Sequence, residues 1–361
     1  MHIFRCDRCG HVVDFSAHEC GSCGAELGYV SERQSIAVLA TSSKPATFEI
    51  DTVDGRFWRC LNAAWGCNWM LPADSDTPWC RSCRLTRGRP DEARPDAVAA
   101  WMIAEAAKRR LVHQLDTLGL PIEGRSSEDP DGLAFDLVHL PGEGGITGHS
   151  EGVVTLDLAE TDDRHRDELR VRLNEPFRTV IGHLRHEIGH HYWSVLVRDR
   201  GCETSFRRLF GDERVDYRTA VEAYYVGNRP AWDPTVHVTA YAASHPLEDW
   251  AETFAHYLHV VDGLDTAIAY GLAPAELGAD PDVAEILDVW RPVNVAITAV
   301  AAAVGMPPIY PFDPTGVVVD KLAFVHDRVT HPFVTTRKET SWPPRSNPHP
   351  VGTTESPRSR S

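Results

Sequence analysis

Apolar residues recur with helical spacing through most of the second half of this chain. Within residues 174–196, Phe177, Val180, Ile181, Leu184, Ile188, Tyr192 and Val195 fall at three- and four-residue steps, the spacing of one buried helix face. Asn174 is the candidate N-cap, with Glu175 and Pro176 in the first turn, where an acid and a proline are favoured. A second helix is predicted to start at Pro246, with Leu247, Trp250, Ala251, Phe254, Leu258 and Val261 on its apolar side. Residues 91–120 read as a linking helix through Ala97, Ala100, Trp101, Ala104, Leu111 and Leu115, and residues 281–304 as another through Val283, Ile286, Leu287, Trp290, Val293 and Ile297. A last element is expected over 317–331. Residues 152–158 alternate apolar and polar, the signature of a strand.

The polar side of the 174–196 helix carries chemistry. His186 and His190 are four apart, so they share a face and can grip one metal ion together. That face lies almost opposite Ile188, so the core holds one side of the helix and the imidazoles line a cleft. Glu187 stands beside the first ligand, where it can take a proton from water. His183, one turn upstream, is an alternative ligand or a hydrogen-bonding partner. A third ligand is available 58 residues after His190, at Glu248, with Glu252 one turn further on the same face. Glu252 is expected to hydrogen-bond a ligand histidine. No Lys or Arg lies three or four residues from either acid, so ion pairing within that helix does not explain them. Tyr241, Tyr257 and His256 are candidate oxyanion donors, none of them assigned. The 152–158 strand is a candidate edge on which substrate lies, and equally a strand of the core.

Eight of the nine cysteines lie in the first 83 residues. Cys6-x2-Cys9 and Cys20-x2-Cys23 form one group of four, Cys60-x6-Cys67 and Cys80-x2-Cys83 the other. Four thiolates suit a closed tetrahedral zinc, one ion per group or with ligands interleaved between groups. Disulfides and a rubredoxin-like iron are the competing readings. The start MHIFRCDRCG has no apolar leader, so a reducing cytoplasm is expected, which favours metal over disulfides. Cys202 stands alone and reads as a buried small residue.

With these residues in view, a resemblance appears. Residues 177–260 resemble a zincin of the gluzincin type, whose motif is HExxH followed later by Glu-x-x-x-Asp or a close variant. The EDWAETFA run is similar to the ExxADxFA helix of several such peptidase families, with Glu252 where many have Asp. The chain as a whole resembles the bacterial "putative zinc-binding metallopeptidase" family, through RCLNAAWGCNW, CRSCRLTRGRP, LRHEIGHHYW, LFGDERVDY and HPLEDWAETFAHYLH. The resemblance implies an α+β zincin-like domain joined to a zinc-ribbon region. It further implies a catalytic zinc on His186, His190 and Glu248, and a protein or peptide substrate.

The expected organisation is therefore a zinc-ribbon region over 1–90, a linking helix over 91–120, a zincin-like domain over 121–334 and a disordered tail over 335–361, rich in Pro, Ser and Arg. Hydrophobic content of 42% is ample for a core. No run approaches ~18 uninterrupted apolar residues, so no membrane span is expected. The net charge of −16 falls outside the ribbon region, where ten Lys plus Arg meet ten Asp plus Glu. That argues against a nucleic-acid partner held by bulk electrostatics. Arg81, Arg84, Arg87 and Arg89 form one local basic cluster, either solvated surface or a contact for a phosphate backbone or an acidic partner. Two functional classes follow. One is a zinc peptidase whose ribbons recognise a protein. The other is a catalytically idle zincin-like protein whose ribbons mediate binding to protein or nucleic acid. Glu187 favours the first, because a pure binding site needs no base beside its ligand.

Overall fold

Cysteine pairs and tight turns leave room for only brief strands at the N-terminus. The computed structural model describes residues 3–331, apart from 45, 52, 92, 140–146, 174, 228–231, 275–276 and 279. In it β1 (Phe4–Arg5) and β2 (Val12–Val13) form a hairpin, and β3 (Leu27–Val30) and β4 (Ser35–Val38) another. Strands β5 (Ala40–Thr41), β6 (Phe48–Ile50), β7 (Val53–Arg59) and β8 (Met70–Pro72) make an antiparallel sheet in that order. The tail expected over 335–361 lies outside the described residues, as does Asn174.

Helix α1 (Pro95–Thr117) begins on a proline at its first turn. Its buried side is half apolar and half ionic. Trp101, Ala104, Leu111 and Leu115 join the main core, while Glu105, Lys108 and Arg109 are buried among them as an ion cluster. One face of the helix meets the ribbons: His113 Nδ1 lies 2.8 Å from the Tyr29 hydroxyl, and Arg109 donates to the Gly66 carbonyl at 3.0 Å. The neighbouring face meets the helices described next, through Gln114.

Beyond α1 lie β9 (Ala134–Val138), β10 (Gly148–Ser150), β11 (Val153–Asp157) and α2 (Asp163–Leu173). These are followed by α3 (Val180–Trp193), α4 (Glu203–Phe210), α5 (Tyr217–Tyr225), α6 (Pro246–Ala269), α7 (Val283–Ala303) and α8 (Val317–Thr330). The small sheet runs β10-β11-β9, with β11 antiparallel to β10 and parallel to β9. Of the two readings of 152–158, substrate edge or core strand, this favours the second. A strand hydrogen-bonded on both sides has no N–H or C=O groups left for a substrate. Among the described residues β10 is the edge beside it, and β11 is the core strand.

Helix α3 also starts later than its apolar period predicts. Thr179, not Asn174, caps it, accepting from the Gly182 N–H at 3.0 Å. The approach from Glu175 to Thr179 is not helical. Its side chains make contacts of their own instead: Glu175 and Arg178 pair with each other, Arg178 pairs with Glu160, and Phe177 packs edge-on against His259 and Tyr310. Helices α3 and α6 cross in close contact, because Gly189 lets the Ala251 backbone approach. Leu184, Ile188 and Tyr192 of α3, Phe254 and Leu258 of α6, and Phe135, Val154 and Leu156 of the sheet form one core. Among the described residues, α7 alone is long and apolar enough to cross a membrane. Its first half, through Ile286, Leu287, Trp290 and Val293, is buried on the α6–α8 side.

Candidate functional site

The crossing of α3 on α6 brings three side chains to one point. Glu248 sits in the first turn of α6, where the helix N-terminus favours a carboxylate. His245 caps that turn, its Nδ1 accepting from the Leu247 N–H at 3.1 Å. Glu248 Oε2 lies 3.1 Å from His186 Nε2 and 3.6 Å from His190 Nε2. This oxygen is buried with no hydrogen-bond partner, an arrangement that a cation between the three atoms would satisfy. Glu187 completes the set, its ligand atom close to those of His186 and His190. All four side chains are buried or nearly so.

The surroundings fix these groups in place. Glu252 Oε1 lies 2.6 Å from His186 Nδ1, which orients the ring with Nε2 toward Glu248. The Tyr217 hydroxyl donates to Glu248 Oε1, leaving Oε2 aimed at the imidazoles. Tyr217 is a residue the sequence analysis did not single out. It comes from α5, inside the LFGDERVDY segment, and no spacing rule links it to a glutamate 31 residues away. The ring of Tyr241 lies 5.9 Å from that of His186. The other two donor candidates face elsewhere: His256 Nδ1 meets the Tyr310 hydroxyl at 2.7 Å, and the Tyr257 hydroxyl meets His326 at 3.0 Å. His183 approaches Glu160, at 3.6 Å, not the ligand set. On the sheet side, strand β10 places His149 with its ring stacked 6.2 Å from that of His190. Burial, with His190 and His191 alongside, pushes the His149 pKa down to about 3.

The electrostatics ask for positive charge. Burial works against ionising Glu248, yet the two histidines hold its carboxyl well below the usual range. Burial likewise opposes a proton on His186, and Glu248 with Glu252 overcome it, holding that imidazole well above its ordinary pKa. Burial raises the Glu187 carboxyl, against the pull of His186 and His190. Three buried carboxylates around two imidazoles thus fit a divalent cation. The donor set, two imidazoles and one carboxylate, matches zinc with a position left open.

The cysteines gather into two closed groups, Cys6 with Cys9, Cys20 and Cys23, and Cys60 with Cys67, Cys80 and Cys83. Ligands are not interleaved. Sγ–Sγ separations of 3.6 to 3.7 Å match the edge of about 3.8 Å expected for a tetrahedron with zinc–sulfur bonds of about 2.3 Å. All nine cysteines are free thiols. In the first group Gly10 and Gly24 each follow the second cysteine of a pair at φ of 72° and 65°, the left-handed turn that lets the backbone curl around a metal. In the second group Glu105, Lys108 and Arg109 lie beneath Cys83. Three of the four clustered arginines are also occupied internally: Arg81 pairs with Asp116, Arg87 with Asp136, and Arg89 stacks over Trp65. The first two bind the ribbons to α1 and β9, and Arg89 braces the ribbon region itself.

A family model described as "Putative zinc-binding metallo-peptidase" matches residues 97–328, and one for a zinc-ribbon domain matches residues 3–94. The chain belongs to this metallo-peptidase family. The family descriptions and the two four-cysteine groups together support zinc binding. Relatives in Mycobacterium bovis and in two strains of Mycobacterium tuberculosis are 41% identical over 333 residues, covering 90% of this chain and 94% of theirs. They are named only as uncharacterized proteins. No solved structure matches the chain.

Proposed function

We propose that this chain is a zinc-dependent peptidase of the gluzincin type that hydrolyses peptide bonds with Glu187 as general base. The observation that carries the reading is Glu248 Oε2, buried, without a hydrogen-bond donor, and within 3.6 Å of both ligand imidazoles. In this reading His186, His190 and Glu248 hold a catalytic zinc, and each four-cysteine group holds a structural one. Zinc in such a site lowers the pKa of water toward neutrality and polarises the scissile carbonyl.

The rest of the chemistry belongs to the protein. Glu187 accepts the proton of the attacking water and returns it to the leaving amine. Its buried, raised carboxyl suits both halves of that exchange. Glu252 orients His186, and Tyr217 holds the second oxygen of Glu248. The substrate is an extended protein or peptide segment that pairs with the free side of β10, beside His149. Tyr241, whose ring lies 5.9 Å from that of His186, is our candidate to face the reacting carbonyl. We divide the chain into a ribbon region over 1–90, the linking helix over 91–120 and the zincin-like domain over 121–334, with the ribbons as the surface for a protein partner. Eight thiols kept for metal suit a reducing compartment, so the reading places the chain in the cytoplasm.

The test is a pair of variants assayed for zinc and for hydrolysis of a peptide library. The native chain should hold about three zinc ions, and Glu187→Gln should keep them while losing at least ~100-fold in rate. Glu248→Ala should hold about two. Unchanged hydrolysis in Glu187→Gln, or a full metal count in Glu248→Ala, would sink the assignment.

A further inference from the structure

The second half of α7 leaves the core. After Val293 only Ala301 of this helix is buried, with Ile297 half-buried against the core. The remainder forms two adjacent rows at four-residue spacing, Val295, Ala299 and Ala303 in one and Ala296, Val300 and Val304 in the other. All six are exposed, with Val295 at 71%, Val300 at 67% and Val304 at 73%. The following turn adds Met306 and Ile309, both more than half exposed. Nothing among the described residues packs on this face. Tyr310 then re-enters the core, and Asn294 ties down its carbonyl at 3.0 Å, so the apolar knob stands on a fixed base.

We infer that this knob is a self-association surface on which a second copy of the chain docks, α7 against α7. Area is the first reason. The exposed side chains present on the order of 600 Å² of apolar surface, the upper end for a monomer and about three-quarters of the ~800 Å² that each partner buries in a standard interface. Charge is the second. Residues 292–312 contain no Asp, Glu, Lys, Arg or His, in a chain of net charge −16. Two copies repel over most of their surface and least here. The same charge, with no basic residue inside the patch, disfavours an anionic membrane, which needs Lys or Arg at the rim of an apolar face. Shape is the third. A row containing two alanines lies beside a row containing two valines, so under a two-fold axis the valine ridge of each copy enters the alanine groove of the other.

The test is sedimentation velocity on the full chain, zinc-loaded, over a hundredfold range of concentration. The expected result is a reversible monomer–dimer equilibrium that tightens as salt rises. Val300→Glu and Ala299→Glu, both at exposed positions, should each raise the dissociation constant at least tenfold while circular dichroism and zinc content stay unchanged. A single-chain mass at every concentration overturns the inference, as does a dimer indifferent to both substitutions. Two further outcomes also overturn it. If a chain ending at Thr330 dimerises where the full chain does not, the C-terminal segment covers the knob. If the monomer co-sediments with phosphatidylcholine vesicles and Val300→Glu abolishes this, the occupant is a lipid surface.

Discussion

Gly189 sits where the two site-bearing helices touch. A Cβ built there would meet the Ala251 Cα at 2.9 Å and its carbonyl oxygen at 3.2 Å. The Gly189 carbonyl also accepts from the Trp250 indole at 2.8 Å. Since the obstructing atoms are backbone, only movement of α3 relative to α6 relieves the clash. Gly189→Ala is expected to cost ~1–3 kcal/mol of stability and, under the proposed function, to lower zinc occupancy at His186, His190 and Glu248, as seen by denaturant unfolding and metal analysis. A stable variant with full occupancy would show that the helices tolerate separation. At this scale much of the site was legible. His186, Glu187 and His190 follow from a four-residue spacing, and Glu248 and Glu252 from acids with no local partner. Tyr217 was not legible, since its role depends on where α5 is carried by the fold.

Among the elements, α1 does more than link. Its Gln114 side chain donates to the Leu258 carbonyl of α6 at 2.7 Å and accepts from Arg185 of α3 at 3.0 Å. Arg185 in turn pairs with Asp262. One amide thus joins all three helices behind the site. Gln114→Ala removes both bonds and leaves a buried carbonyl and a buried guanidinium N–H short of a partner, a loss of about 1–3 kcal/mol. Thermal unfolding should register it, with zinc on the cysteine groups unaffected. Helix periods announced α1, α6 and α7 because burial of one face is a local pattern; an element over 317–331 was expected without its type, and α2, α4 and α5 were not foreseen. Two further features escaped that logic. Alternation over 152–158 marks a strand but not its neighbours, and strand order depends on pairing across the chain. The start of α3 was hidden because Phe177 is apolar in phase with the helix yet packs from an unwound segment.

For the whole molecule, pH is the revealing variable. His256 and His237 are neutral in the fold: burial pushes each down to about 4 from an ordinary value of 6.5, opposed by Glu252 for His256 and reinforced by Lys321 for His237. The unfolded chain protonates near 6.5, so it binds protons that the fold refuses. Stability is therefore present above 6.5 and drains away as pH falls toward about 4. His256→Gln should flatten that decline by at most about 1.4 kcal/mol per pH unit, measured as the difference in unfolding free energy from the native chain. Equal slopes would mean that His256 already carries a proton in the fold. The ribbon region and the helices beyond it are not separate bodies, since residues 1–330 form one compact unit.

The two-sided burial of α1 has a practical corollary for anyone dissecting the protein. Cutting just before Pro95 would strip the cover from Trp101, whose indole packs on Trp65, and from His113, which lies against Phe15 and Tyr29. It would also open the Glu105, Lys108 and Arg109 cluster to solvent on the side where Cys83 now covers it. The fragment would be sticky and prone to precipitate, so neither half is a sensible reagent without the other.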